Sequence, residues 1–467
     1  MNRKHFIKSI AGAAAFLGLP ISSIGKNSGP VLLDKLGTHQ QKVSGSMIGF
    51  KVDPIKKVRV GIIGLGNRGK GLTEMFYWLI EKNRAEIVAL SDLKESNVNH
   101  AVDKLSSIQK QKPDVYTKNE NSWKELAQRD DIDLLLICTP WELHTPMSIY
   151  GMQQGKHVVS EVPIAYTLDD CYKLIQTSEE TKRHCMMIEN CCYNDEELFV
   201  LNMIQEGVFG DLTHAEGAYI HDLRKHMLDD EYYQDQWRIK HHEKRNGNFY
   251  TTHGIGPISN YLNIGHGDNY SVLTSMSSRE KSLSDTAKRF NSPHTNIMCG
   301  DMNTTMLKTT LGKTVMLQFD VHTGSPYNRL NKVVGTDAVH QGYPSRLYID
   351  DKEELKYWGH NWLDENAYAE YKSKYTHPMI KKLKSISQDY KQGHGGMDFV
   401  MIYRLISCLN QGVPLDQSVY DGAIWSAITP LSELSVANNS QSVSFPDFTG
   451  GTWKTKRDLE VMREFEK

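Results

Sequence analysis

The 467-residue chain has no excess of charge of either sign: 54 lysines and arginines face 56 aspartates and glutamates, for a formal net charge of -2. Without a global field, nothing draws the chain to nucleic acid or to an acidic membrane, and a small neutral ligand suits it better. Cysteine is sparse. The seven (Cys138, Cys171, Cys185, Cys191, Cys192, Cys299, Cys408) are odd in number and scattered, and none forms a CxxC zinc pattern or a disulfide ladder. They read as buried thiols of a protein that folds in a reducing compartment. There is no internal repeat and no recognisable metal spacing. The apolar stretch at 10–19 is too short to span a bilayer and is broken by Pro20. Hydrophobic residues at 39% and charged residues at 24% are ordinary for a globular protein, and the length calls for two domains.

Arg3, Lys4 and Lys8 precede the apolar stretch, the layout of a cleaved export signal. Arg3-Lys4-His5-Phe6-Ile7-Lys8 is similar to a twin-arginine signal with lysine in the second arginine position. Residues 1–25 are therefore expected to carry the protein to the periplasm already folded. Residues 26–57, rich in Gly, Ser, Lys and Gln, read as a linker or surface wrap.

From Val58 short apolar runs alternate with helical stretches. Runs at 58–63, 86–91, 134–138, 157–160 and 185–188 have the continuous apolar character of buried parallel strands, which predicts a doubly wound Rossmann sheet over 58–195. After Gly210 the texture changes. Period-2 segments at 304–310 and 314–322 flank Gly312-Lys313, a hairpin signal, so 196–467 is expected to be an α+β domain with a large, mostly antiparallel sheet. The polar stretch at 350–396 reads as surface helices, and 397–409 and 423–437 as apolar-periodic helices packed on a sheet.

The chemistry begins at Gly64-Leu65-Gly66-Asn67-Arg68-Gly69, directly after the first strand and at the start of a helix. Glycines in that spacing give a tight turn, let backbone N–H groups approach a pyrophosphate, and pack helix on strand. Asp92, at the end of the second strand, can accept hydrogen bonds from the adenosine ribose and repel a 2'-phosphate, favouring NAD over NADP. Arg68 beside the turn can itself meet a phosphate. Thr139-Pro140-Trp141-Glu142-Leu143-His144 and Glu161-Val162-Pro163 follow two further strands, where open α/β sheets bind ligands. In the second half, Trp237-Arg238 precedes the run from Tyr250 to Pro257. Tyr250 and His253 are three apart, so a helical turn or its start would present a phenol and an imidazole on one face. His241-His242-Glu243 reads as a solvated face.

With these residues the chain resembles the oxidoreductase superfamily of glucose-fructose oxidoreductase and inositol dehydrogenase. Within it the resemblance is to glycoside hydrolase family 109, the NAD-dependent α-N-acetylgalactosaminidases. The discriminating residues are Glu161-Val162-Pro163, Glu189-Asn190-Cys191-Cys192-Tyr193, Trp237-Arg238, the Tyr250–Pro257 run and His394-Gly395-Gly396-Met397-Asp398. The dehydrogenases carry lysine where Val162 stands, so net oxidation lacks a main catalytic group here. Thr251 stands where the glycosidases carry proline.

The resemblance implies a redox-neutral hydrolysis outside the two-carboxylate scheme. Hydride leaves C3 of the sugar for NAD, the C2 proton is removed, the C1–O bond breaks by elimination, water adds, and hydride returns. It implies Tyr193, Tyr250, His253 and Glu161 for the proton transfers. It implies Gly64, Gly66, Asn67, Arg68, Gly69, Asp92, Trp141 to His144, Glu161, Val162, Asn190 and Tyr250 for NAD, and Tyr219, Arg238, Tyr250, Thr251, Thr252, His253 and Tyr327 for a terminal N-acetylgalactosamine. A homo-oligomer is compatible with this reading. The alternative is an NAD-dependent sugar or inositol dehydrogenase with net oxidation.

Overall fold

The computed structural model describes residues 42–350, 361–390 and 394–463. The export segment expected at 1–25 lies outside them. Six strands, β1 (Val58–Ile63), β2 (Ala85–Ser91), β3 (Asp114–Tyr116), β4 (Leu134–Ile137), β5 (His157–Ser160) and β6 (Cys185–Met187), form a parallel sheet in the order β3-β2-β1-β4-β5-β6. Helices cover both faces, which is why β4 can read Leu-Leu-Leu-Ile with every residue buried. The order reverses between β1 and β4, so the crevice for a ligand opens beyond their carboxyl ends. Only β3 has no counterpart among the runs read from the sequence. It is a three-residue edge strand with Asp114 and Val115 exposed, so no apolar run marks it.

The second sheet has eight strands: β7 (Leu212–Ile220), β8 (Tyr270–Ser277), β9 (Asn303–Thr309), β10 (Thr314–Asp320), β11 (Lys332–Gly335), β12 (Ala338–Gln341), β13 (Arg346–Ile349) and β14 (Val443–Ser444). Their order is β13-β12-β11-β7-β10-β9-β8-β14. All neighbours are antiparallel except β7 and β10, and β9–β10 is the hairpin expected around Gly312.

Six helices matter for the site: α1 (Asn67–Glu74), α2 (Trp141–Gln153), α3 (Trp237–Lys244), α4 (Thr252–Tyr261), α5 (Met397–Gln411) and α6 (Val419–Ala437). The polar stretch forms helices Glu365–Tyr375 and Pro378–Ser387, as expected of surface helices. A capping box of Ser418 and Asp421 starts α6, which is apolar on nearly all sides and packs against both β8 and β6. Ile424, Trp425, Ile428 and Leu431 on it are fully buried, each stabilising the union of the two sheets by about 1.5–3 kcal/mol. Residues 42–57 lie across this junction. The Met47 N–H donates to the Tyr420 hydroxyl at 3.0 Å and the Ile55 N–H to the Leu409 carbonyl at 2.9 Å. Among the described residues no helix is long and apolar enough to cross a membrane.

Candidate active site

The turn after β1 has the shape of a phosphate cradle. Gly64 sits at φ +89°, and a Cβ on Gly69 would lie 2.0 Å from the Gly64 carbonyl oxygen, so neither position tolerates a side chain. A Cβ on Gly66 would meet nothing within 4 Å and would project into open space ahead of α1. That is the position where an anion meets backbone N–H groups and the positive end of a helix. Asp92 closes the turn onto β2: its Oδ2 accepts the Leu65 N–H at 2.6 Å and its Oδ1 the Lys94 N–H at 2.7 Å. The residues present fit a dinucleotide.

Arg68 projects from the first turn of α1 across the crevice. Its Nε donates to Glu161 at 2.7 Å, beyond β5, and its Nη1 and Nη2 donate to Asp398 at 2.5 and 3.1 Å, at the start of α5. Asp398 also accepts from Asn190 at 2.7 Å and pairs with His394 at 2.8 Å. Burial works to raise the Asp398 carboxyl. The facing Arg68 charge and the hydrogen bonds outweigh it and hold the group below the usual carboxylate range. One cation thus ties the glycine turn, the end of β5 and the start of α5 together.

The second cluster lies where α3 and α4 face β7. Gly217 and Gly254 let α4 lie directly on the strand: a Cβ at Gly254 would come within 2.7 Å of the Ala218 nitrogen. This close approach sets His253, in the first turn of α4, beside Tyr219 of β7, with ring centroids 5.5 Å apart. Tyr250 lies 4.9 Å from His253 and 4.5 Å from Tyr219, and Tyr327 stands edge-on to Tyr219 at 6.0 Å. Over them lies Arg238, its guanidinium 4.9 Å from the Tyr250 ring and 5.0 Å from the Trp141 ring. Arg238 donates to the Tyr233 hydroxyl at 2.9 Å, while its buried Nε and Nη2 have no partner among the described residues. Unpaired buried guanidinium donors are costly unless a ligand meets them. Burial raises the Tyr219 and Tyr250 phenols, so both stay protonated as hydrogen-bond donors.

His253 Nδ1 lies 2.8 and 3.0 Å from the two oxygens of Glu189, which is wholly buried. A carboxylate only accepts, so Nδ1 carries a proton, and in the neutral imidazole Nε2 is the nitrogen with the lone pair. Burial alone would raise the Glu189 carboxyl; the facing imidazole and further hydrogen bonds leave it lowered. Glu189, Cys191 and His253 also bring potential metal ligands within 4.8 Å of one another. Both Glu189 oxygens already serve His253, and one also accepts the Cys191 N–H, so the group reads as an oriented histidine.

The structure therefore brings together Trp141, Tyr219, Arg238, Tyr250, His253 and Tyr327 in one cleft, and Gly64 to Gly69, Asp92 and Glu161 in the adjoining one. Tyr193 belongs to neither and is corrected as a proton carrier: it is sealed in the core, and the charges that face it are Asp416 and Arg404. Thr251 turns its hydroxyl to the Trp425 carbonyl at 2.9 Å, away from the cleft, and Thr252 is buried. His144 joins two strand-end loops through the Pro163 and Thr139 carbonyls, both at 2.7 Å. Leu143 is exposed, Glu142 pairs with His241, and Val162 is buried. Asn67 donates to the Tyr232 carbonyl, and Asn190 is occupied by Asp398. Glu189 and Asp398 stand in the quoted motifs but carry no role in the sequence reading. An acid spaced 64 residues from its histidine leaves no local pattern to find.

Comparison with known proteins agrees with this geometry. Residues 58–189 match the family profile for the oxidoreductase family, NAD-binding Rossmann fold, and 193–455 match the glycosyl hydrolase 109 C-terminal domain. The chain is 42% identical over 468 residues to glycosyl hydrolase family 109 protein 1 of Shewanella sp. (strain MR-4), covering 99% of both chains. It is 42% identical over 469 residues to the α-N-acetylgalactosaminidase of Shewanella oneidensis, again over 99% of both. Among solved structures, levoglucosan dehydrogenase in complex with NADH and levoglucosan aligns with a TM-score of 0.61 at 16% identity, covering 84% of this chain and 100% of that one. An NAD-binding oxidoreductase from Klebsiella pneumoniae gives 0.62 at 14%, with the same coverage. These two likenesses carry the fold. The first domain is thus an NAD-binding Rossmann domain, the enzyme is a glycoside hydrolase acting on a glycan, and the chain belongs to glycosyl hydrolase family 109.

Proposed function

We propose that the protein removes terminal α-linked N-acetylgalactosamine from glycans or glycosides, with NAD reduced and reoxidised within each turnover. The observation that carries this reading is the Glu189–His253 pair opening onto a box of tyrosines and an arginine with unpaired donors. Bound NAD supplies a reversible hydride acceptor for C3 of the sugar; Gly64 to Gly69 and Asp92 hold its phosphates and ribose. His253, its Nδ1–H donating a hydrogen bond to the Glu189 carboxylate, takes the C2 proton at Nε2. Tyr250, kept protonated by burial, donates to the departing glycosidic oxygen. Arg238 orients the sugar through its unpaired Nε–H and Nη2–H groups, and Tyr219 and Tyr327 pack on its faces. Glu161, paired with Arg68, fixes the crevice between cofactor and sugar.

A net dehydrogenase is disfavoured because the buried, apolar Val162 supplies no ammonium group where the dehydrogenases use one. Purified protein is incubated with an aryl α-N-acetylgalactosaminide, with and without added NAD. The expected result is aryl release without NADH accumulation. NADH formed in step with product would favour the dehydrogenase, and no release from any of a panel of aryl glycosides would reject the hydrolase. Residues 1–25 are proposed to direct the folded protein to the periplasm, which cell fractionation of a producing strain tests.

A further inference from the structure

Away from the cleft, three side chains with metal-binding atoms meet in a space closed to solvent. His242 on α3 is buried together with His241, against the solvated face expected of His241-His242-Glu243; Cys299 lies on the loop before β9 and His322 two residues past the end of β10, and all three ligand side chains are 0% exposed. One ligand atom from each falls within 4.8 Å of the others. Ligands at zinc bond lengths of about 2.0–2.3 Å in a tetrahedral shell sit roughly 3.3–3.8 Å apart, so side-chain rotations that draw the ligand atoms in by about 1 Å converge them on one ion.

The hydrogen bonding of the group is incomplete. His242 Nδ1 and His322 Nε2 are 2.8 Å apart, so one proton is shared between two nitrogens. His322 Nδ1 faces Asp301 at 3.5 Å without a hydrogen bond, and the facing carboxylate favours the tautomer with the proton on Nδ1 and Nε2 as the acceptor. His242 must then donate from Nδ1, and its buried Nε2 has no hydrogen-bond partner among the described residues. Cys299 makes only long sulfur contacts to the Gly247 and Gly300 carbonyls, at 3.9 and 3.5 Å. An ion bound in the group takes the place of the shared proton. It leaves His322 Nδ1–H directed at Asp301, the carboxylate-behind-histidine arrangement typical of metal sites.

The surroundings suit a structural centre. His242 packs against Phe249 and Phe319, and Cys299 belongs to a small apolar cluster separate from the main core that also contains Trp141 and Tyr219. The Met298 and Cys299 N–H groups both donate to the His242 carbonyl, so the cysteine loop is already anchored to α3.

We propose that His242, Cys299 and His322 bind a borderline-soft divalent ion, Zn²⁺ by ligand type, with a fourth light-atom ligand, pinning α3 to the end of β10. Binding displaces the Cys299 thiol proton to solvent and shifts the His242 proton from Nδ1 to Nε2, so that both imidazoles ligate as neutral bases, and needs no other reactant. This site rests on none of the roles assigned in the substrate cleft.

The test uses full-length protein. After dialysis against a weak chelator, zinc is expected to remain stoichiometric with the chain, and Co²⁺ substitution should give a near-ultraviolet sulfur-to-cobalt charge-transfer band. Cys299→Ser should lose the band and Cys191→Ser should keep it, which separates this site from the Glu189–Cys191–His253 group. A chain that retains no zinc, or a band that persists in Cys299→Ser, overturns the proposal. If Cys299→Ser does not fold, zinc-edge X-ray absorption on the Cys191→Ser protein decides. One sulfur with two imidazoles supports the site, and a shell without sulfur overturns it.

Discussion

Glu189 Oε1 lies 2.8 Å from Nδ1 of His253, joining the end of the Rossmann domain to the first turn of a helix in the substrate domain. The buried anion sets which imidazole nitrogen is basic and would stabilise the imidazolium formed when His253 accepts a proton. Glu189→Gln keeps the size and an acceptor oxygen but removes the charge. Its kcat is expected to fall about 10²–10⁴-fold, the usual contribution of a positioned proton-transfer group, with NAD affinity unchanged. His253→Ala should abolish turnover while still binding NAD; retained activity would remove His253 from the chemistry. Initial rates and calorimetric NAD titration read both.

Arg68 and Asp398 supply a second prediction. Asp398→Asn keeps one hydrogen-bonding oxygen but removes the anion that holds Arg68, Asn190 and His394 in place. Charge-assisted hydrogen bonds contribute about 1.5–3 kcal/mol, so the dissociation constant for NAD should rise roughly 10- to 100-fold, with the substrate KM moving less. An unchanged NAD affinity would show that the latch is structural only.

The glycine turn, Asp92, five of the six Rossmann strands and the hairpin at Gly312 were legible because each is local: a few residues in a fixed spacing create the geometry. His253 and Tyr250 were legible by their mutual spacing at the start of a helix. Glu189 and Asp398 were not, because their partners are 64 and 330 residues away and only the packing of α4 and α5 brings them near. Tyr193 shows the converse. Its motif neighbours Glu189 and Asn190 face the clefts, but the 3-10 turn Asn190–Tyr193 rotates the tyrosine into the core.

Arg238→Lys tests recognition. Lysine keeps the charge but not the planar face stacked on Trp141 and Tyr250, nor the fixed fork of donors. The kcat/KM is expected to drop about 10- to 100-fold, mainly through KM, with thermal stability changed little by comparison. A kcat loss at unchanged KM would instead give Arg238 a role in the transition state alone.

Acid stability follows from buried histidines. Burial lowers His157, His340 and His377 to about 4 and His184 to about 3, from 6.5. In the fold they stay neutral while the unfolded chain takes up protons below pH 6.5. Their contribution is complete above that value and declines as pH falls toward 4. Unfolding at pH 5 should absorb about three to four protons from these groups, and the thermal midpoint should fall between pH 7 and pH 5. A midpoint that is flat over this interval would contradict the assignment.

Transient oxidation at C3 makes one demand that neither a conventional glycosidase nor a binding protein makes: the C2 proton must leave and be replaced. Hydrolysis of an aryl α-N-acetylgalactosaminide in D₂O, followed by NMR of the released sugar, tests it directly. Deuterium at C2 of the product, with no NADH accumulating, is the predicted result. A product that keeps its original C2 hydrogen at full turnover would contradict the mechanism.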